Sequence, residues 1–266
     1  MSRLLVCPPD YFSIDYEINP WMRRSNVVDP QRAVQQWHRL MEVLERDVGA
    51  ALERMTPVQG LPDLVFTANA GIVVGHKAVP SRFRYAERQR EEAYFERWFR
   101  DHGYEIVTLD AGVYFEGAGD LLGFPDTWFG GYRQRSDIRA FPILSKIFER
   151  EILPLELVDS RFYHLDTCFC PLSGGELLYY PAAFDQYAQS AIAERIADSR
   201  RLAVPEGEAL KFACNAVCVG KHVVLPSGCP ETMNWLNTRG YHPHEVPLSE
   251  FMKSGGSAKC LTLALD

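Results

Sequence analysis

The sequence predicts an α/β fold arranged as a pseudo-fivefold ring of small units around a central channel. Three observations carry that expectation. Short strand-like runs alternate with amphipathic helical stretches along the whole chain. Similar segments recur at a nearly constant spacing: the anchors Phe66, Phe115, His164 and Phe212 lie 49, 49 and 48 residues apart, and Cys260 follows after another 48. Such a period divides the 266 residues into about five units. Finally, no Ser/Gly/Pro linker, low-complexity tract or long block of one charge interrupts residues 1–266, so a single domain is expected.

The elements follow in order. "RLLVCP" reads as a first strand, and "PQRAVQQWHRLMEVLERDV" as a helix with the stripe Val34, Trp37, Leu40, Met41 and Leu44. "GIVVG" is strand-like. "EEAYFERWFRDHG" carries the stripe Tyr94, Phe95, Trp98 and Phe99, with Gly103 as its C-cap. The runs "EIVTLD" and "LLGFPDTWFGGY" are again strand-like, and "SDIRAFPILSKIFEREI" is a helix begun or interrupted by Pro142. "GELLYYP" precedes a fourth helix, "FDQYAQSAIAERIADS"; "AVCVGKHVVLP" and "CLTLAL" complete the strands.

The repeats are visible in the letters. "FTANAGIVVGHKAVPS" aligns with "FACNAVCVGKHVVLPSG". "FEGAGDLLGFPDTWFGGY" and "HLDTCFCPLSGGELLYYP" share one layout: a polar signature, a strand, a turn and a second strand. In a closed ring these signatures gather around one channel, and their convergence makes a site.

At 47% hydrophobic the chain can bury a large core without a disulfide or metal staple. Its formal charge of −7 argues against a sequence-independent nucleic-acid binder and suits an enzyme acting on small molecules, cationic ones included. No apolar run reaches the length of a membrane span, and "MSRLLVCPPDYF" lacks the pattern of a signal peptide, so no membrane partner is expected. Seven scattered cysteines, an odd number, read as reduced thiols of a cytoplasmic protein.

Three stretches carry chemistry. In "YHLDTCFC", read as a strand, His164, Asp166, Cys168 and Cys170 share one face and Leu165, Thr167 and Phe169 the other. A histidine beside a carboxylate serves as proton shuttle and cation anchor, or as a structural pair at a strand end. "FEGAGD" places Glu116 and Asp120 among small residues that let a ligand or backbone approach, or simply turns the chain with two solvated acids. It lacks the dinucleotide and P-loop patterns. Cys260, after Gly255 and Gly256, is either the thiol of a core strand or a nucleophile on a mobile loop; the histidine and carboxylates elsewhere supply a nucleophile's partners. Neither Cys168, Cys170, Cys214 and Cys218 nor the pair His242 and His244 has the spacing of a zinc site, so no metal is expected.

Cys260, "HLD" at 164–166, "FEGAGD" at 115–120 and "FTAN" at 66–69, together and in this order, resemble the guanidine-modifying enzymes of the pentein, or α/β-propeller, superfamily. That group includes arginine deiminases, dimethylarginine dimethylaminohydrolases, amidinotransferases and arginine dihydrolases. The resemblance implies five ββαβ-type units around a central channel, a hydrolase for C–N bonds of linear amidines, and no cofactor. It makes Cys260 the nucleophile, His164 the general acid and base, and Glu116 the support of that histidine. Asp166 would bind guanidinium nitrogens, with Asp120 nearby. "RQRE" resembles a segment whose first arginine, here Arg88, holds the substrate α-carboxylate; "GGYRQRS" resembles one whose arginine, here Arg135, does the same. Asn19 in "YEINPWM" resembles an asparagine that reaches the site in dihydrolases.

The chain departs from the deiminase pattern at two points. "FEGAGD" is one residue longer than E-G-G-D, and Asn69 stands where deiminases close F-T-R-D with aspartate. Asparagine both donates and accepts, so it suits a neutral ureido group as well as a guanidinium. The resemblance therefore implies an arginine dihydrolase first, and a dimethylarginine dimethylaminohydrolase as the alternative. An arginine deiminase, an amidinotransferase and a ribosome-binding pentein without catalysis come after these. A homodimer is compatible with the sequence.

Overall fold

The computed structural model describes residues 2–265. It contains five separate three-stranded sheets rather than one continuous barrel. The first unit has β1 (Arg3–Val6), the helix α1 (Pro30–Glu42) and β2 (Ala51–Arg54). The second has β3 (Gly71–Val74), β4 (Lys77–Pro80), α2 (Glu92–Asp101) and β5 (Glu105–Ile106). The third has β6 (Leu121–Gly123), β7 (Thr127–Tyr132), α3 (Ala140–Phe148) and β8 (Glu151–Glu156). The fourth has β9 (Phe169–Pro171), β10 (Leu177–Tyr179), α4 (Gln186–Arg195) and β11 (Arg201–Ala203). The fifth has β12 (Val217–Val219), β13 (His222–Pro226), α5 (Pro230–Thr238) and β14 (His242–Val246). The strand β15 (Leu263–Ala264) returns to pair with β1 and completes the first unit.

Each sheet has the same hydrogen-bonding order. The first strand pairs antiparallel with the second, and the second pairs parallel with the third. The parallel pair requires a crossover, and the helix of each unit supplies it. This is the expected ββαβ unit, five times over.

Local chemistry explains the helices. Asp29 caps α1 by accepting from the Gln31 and Arg32 amides, and Pro30 occupies the first turn, where a missing N–H costs nothing. Pro142 falls in the first turn of α3 for the same reason, so it helps begin that helix. Beyond α2, Gly103 takes φ +80°, the left-handed conformation its sequence position implied. The α1 stripe is buried at Trp37, Leu40 and Met41 and continues to Leu44 in the π-helical turn Val43–Asp47, whereas Val34 is only partly covered and Ala33 takes the deeper position. The helix α5 adds to the expected elements; of its residues Thr232 and Leu236 are buried.

One expectation is corrected. "YHLDTCFC" is not a strand throughout: a 3-10 turn occupies Leu165–Thr167 and the strand begins only at Phe169. The inferred sharing of a face by His164, Asp166, Cys168 and Cys170 therefore fails, and Cys168 packs in the hydrophobic core. Cys260 likewise lies in the turn before β15, not within the strand. Similar turns precede β3 and β6, at Thr67–Ala70 and Gly117–Gly119.

These turns join the units. Asn69 Nδ2 donates to the Glu116 carbonyl (2.9 Å), the Leu165 amide to Asp120 Oδ1 (3.0 Å), and Asn215 Nδ2 to the Asp166 carbonyl (3.0 Å). The Cys260 amide donates to Asn215 Oδ1 (3.1 Å), and the Ala68 amide to the Cys260 carbonyl (3.1 Å). Five links thus close the ring through buried groups whose hydrogen bonds must be made inside the protein.

Candidate active site

The same turns carry the polar side chains of the signatures to the ring axis, where Asn69, Glu116, Asp120, His164, Asp166 and Asn215 are all buried. Glu116 and His164 meet first. His164 Nε2 lies 2.7 Å from Glu116 Oε2, which also accepts from Arg135 Nη1 at 3.0 Å. The Arg84 amide donates to Glu116 Oε1. Burial alone would raise the Glu116 pKa, but the charge of Arg135 and the His164 hydrogen bond outweigh it and hold the carboxyl well below the usual range. The other ring nitrogen, His164 Nδ1, is buried with no protein partner and can exchange a proton with a ligand.

Cys260 forms the second group. Its Sγ lies 3.4 and 3.6 Å from the Asp166 carboxylate oxygens and accepts from Asn215 Nδ2 at 3.1 Å. Burial, followed by the negative charge of Asp166, pushes the thiol well above its ordinary pKa. The protein surroundings by themselves thus oppose formation of the thiolate. Burial also pushes Asp166 up to about 6, against the opposing charge of Lys259.

Asn69 is engaged at both ends. Its Oδ1 accepts from Arg88 Nη1 at 2.9 Å, and its Nδ2 donates to the Glu116 carbonyl. An aspartate could accept the first bond but could not donate the second. Gly119 packs directly on this amide, where a Cβ would collide with Asn69 Nδ2. Arg88 forms a fork with Glu91 (3.0 and 2.8 Å) and also donates to the Asp63 carbonyl, so in this structure its guanidinium is taken up by Asn69, Glu91 and Asp63. Arg135 is held between the Tyr85 and Tyr163 rings, each 4.7 Å from its guanidinium carbon, and donates to Glu116 and the Ile18 carbonyl.

Asp120 is not turned toward Cys260. Its carboxylate accepts from Ser136 Oγ (2.6 Å) and the Leu165 amide (3.0 Å), which ties the third unit to the residue after His164. Asn19 accepts from the Trp21 and Met22 amides and donates to the Ser254 carbonyl, fastening the amino-terminal segment to the loop before Cys260. Gly255 in that loop has φ +83°, and a Cβ there would meet Tyr163 at 2.8 Å and Trp21 at 2.9 Å. Beside this loop opens a cleft of about 360 Å³ lined by Glu17, Asn19, Arg23, Gln134, Arg135 and Tyr163.

Two residues escaped sequence reasoning. Asn215 holds Cys260 through both backbone and sulfur, and its signal was present in the repeat, since Asn69 and Asn215 occupy matching places in "FTANAG" and "FACNAV". Asp63 is buried near Arg88, accepts from the Tyr16 hydroxyl and keeps Oδ1 without a protein partner. No motif marks it. Among the described residues, no cluster of three or more His, Cys, Asp or Glu side chains is placed to hold a metal, and no helix is long and apolar enough to cross a membrane.

No family model matches the chain. The bifunctional arginine dihydrolase/ornithine cyclodeaminase AgrE of Nostoc sp. is 47% identical over 264 residues, covering 98% of this chain and 37% of that protein. The chain thus spans little more than a third of the first curated relatives it matches. The N(G),N(G)-dimethylarginine dimethylaminohydrolase of Mycobacterium tuberculosis is 38% identical over 263 residues, covering 99% of this chain and 85% of that enzyme. The N-terminal domain of the cyanobacterial arginine dihydrolase ArgZ, solved with its substrate, superposes with a TM-score of 0.96 at 44% identity, covering all of this chain and 98% of that one. Shared unit order, the axial constellation and these likenesses converge: the chain belongs to the guanidine-modifying pentein family, with the arginine dihydrolases and dimethylarginine dimethylaminohydrolases.

Proposed function

We propose that this chain is an arginine dihydrolase domain that converts arginine and two waters to ornithine, carbon dioxide and two ammonia. The observation that supports this most is the enclosed set Cys260, Asp166, His164 and Glu116 on the ring axis, in a chain alike throughout to dihydrolase domains.

The geometry suggests how each step proceeds. Two buried carboxylates, Asp166 and Glu116, draw a guanidinium to the axis. The arriving cation offsets the negative potential that keeps the Cys260 thiol protonated, and Asn215 Nδ2 steadies the thiolate that forms. The thiolate adds to the guanidinium carbon. His164, oriented by Glu116, delivers a proton to the departing ammonia and leaves a covalent thiouronium. It then takes a proton from water, whose attack on that carbon breaks the C–S bond. A second round on the ureido product gives ornithine, and the Asn69 amide suits both the cationic and neutral planar groups.

Arg135, with donors beyond the two it uses, and Asn19 line the cleft that would take the amino-acid end. Arg88 joins them if its contact with Asn69 loosens, and Asp63 Oδ1 is available to an α-ammonium. Asp120 acts by holding the His164 turn. The chain acts as one domain, and its cysteines, all free, suit the cytoplasm.

The 38% identity to a dimethylarginine dimethylaminohydrolase favours a second reading, release of dimethylamine and citrulline. One assay separates them. Purified protein is given arginine, then dimethylarginine, and ammonia, dimethylamine, citrulline and ornithine are counted. Two ammonia with ornithine support the proposal; citrulline as the final product, or dimethylamine release without turnover of arginine, refutes it.

A further inference from the structure

The axis has a second level. The second residue of each inner strand is Ile72 in β3, Leu122 in β6, Cys170 in β9, Cys218 in β12 and Ala264 in β15. Four of these, all but Ile72, line one cavity of about 280 Å³. The cavity therefore sits on the ring axis, beyond the turns that carry Cys260, Asp166 and His164; none of those three side chains lines it, and Lys259 of the Cys260 turn faces it. Leu4, Phe169 and Val217 extend its apolar wall.

Among the described lining residues, Lys259 is the charged one. Its Nζ donates to the Thr262 carbonyl at 3.3 Å, a long bond, and it forms no ion pair with any described residue. An ammonium has three donors, so this one is under-partnered. Burial pushes its pKa down and outweighs the opposing attraction of Asp166, which lies too far away to form an ion pair with it. An apolar collar around one such cation selects its ligand by elimination. A second cation is repelled, a neutral molecule leaves the ammonium as it is, and a multiply charged anion puts surplus charge against the apolar wall.

We infer that this axial cavity is a second ligand site, built for a monocarboxylate with an aliphatic or aromatic body, with Lys259 as its charge partner. The carboxylate takes the open ammonium donors and the body fills the collar of Leu122, Cys170, Cys218 and Ala264. The test does not depend on the catalytic reading, because occupancy is measured by binding alone.

The test uses 4-phenylbutyrate, its neutral amide and 4-phenylbutylamine as probes, each titrated into the whole chain by calorimetry and ligand-observed NMR. The carboxylate should bind at least about tenfold more tightly than the amide, as a charge-assisted bond requires, and the amine should not bind. Lys259→Met should remove the preference for the carboxylate. Ala264→Trp, at an exposed position on the cavity wall, should block all three probes. Equal binding of carboxylate and amide by the unaltered protein overturns the proposal without recourse to any variant. So does a carboxylate affinity that survives Ala264→Trp in a folded protein, or the absence of carboxylate binding altogether.

Discussion

Asn215 grips Cys260 twice: Nδ2 lies 3.1 Å from the sulfur, and Oδ1 accepts the Cys260 backbone amide at the same distance. One side chain thus fixes the position of the thiol and supplies a donor to its charged form. Asn215→Ala should lower kcat by about a hundredfold, the scale of losing one preorganised donor. Asn215→Asp places an acceptor where the donor stood. The rate of Cys260 alkylation by iodoacetamide should then show its pH midpoint displaced to higher pH in both variants, which a purely structural role would not produce.

Asp166 makes stability and function pull in opposite directions. Its carboxyl is pushed from 3.8 up to about 6 by burial, so the folded protein holds that proton more tightly than the unfolded chain. The contribution is fully present below pH 3.8 and declines as pH rises to about 6. Two units correspond to about 3 kcal/mol lost at neutral pH. Asp166→Asn should therefore raise the urea midpoint at pH 7 while abolishing turnover. On the unaltered protein, kcat/KM for a cationic guanidine should fall below about pH 6 as Asp166 is protonated.

Glu116 behaves differently because its charge is compensated by Arg135 and His164. Glu116→Gln leaves the Arg135 guanidinium buried without its anion, a loss of about 3–5 kcal/mol for a pair of this kind. It also replaces the charge-assisted bond to His164 with a weaker neutral one. Denaturant unfolding should show the first effect, and a fall in kcat of about a hundredfold or more the second.

Asn69→Asp tests the reason for an amide at that position. The new carboxylate keeps a bond from Arg88 but loses the one to the Glu116 carbonyl, and its charge favours a cation over a neutral ureido group. Citrulline should accumulate, with ammonia per arginine falling from two toward one. Unchanged stoichiometry would show that Asn69 does not govern the second hydrolysis.

Much of this architecture is legible in the letters, because a strand–turn–strand signature repeated near every fifty residues constrains the ring. The four amphipathic helices are legible for the same reason: one face of each must be buried, as Phe95, Trp98 and Phe99 show. What fails is the strand alternation across His164 and Asp166, since a 3-10 turn inserts between signature and strand and redirects Cys168 into the core. Hydropathy does not distinguish a tight turn from a strand end when both are buried. Arg88 and Asp120 show another limit. Their types announce charge recognition, but only the packed structure reveals partners as far away in sequence as Leu165. Asn215 is legible from its repetition, since it stands in "FACNAV" where Asn69 stands in "FTANAG".

The pairing of β15 with β1 also governs when the chemistry can begin. The Cys260 turn is the last of the five signatures to be synthesised, and the pairing that follows it joins Ala264 to Leu4, across nearly the whole chain. Such distant pairing is the slowest part of folding. A nascent chain that has already built its acids and its histidine therefore still lacks a nucleophile. The thiol arrives with the strand that closes the first sheet, so Cys260 is the last member to join the acids and the histidine on the axis.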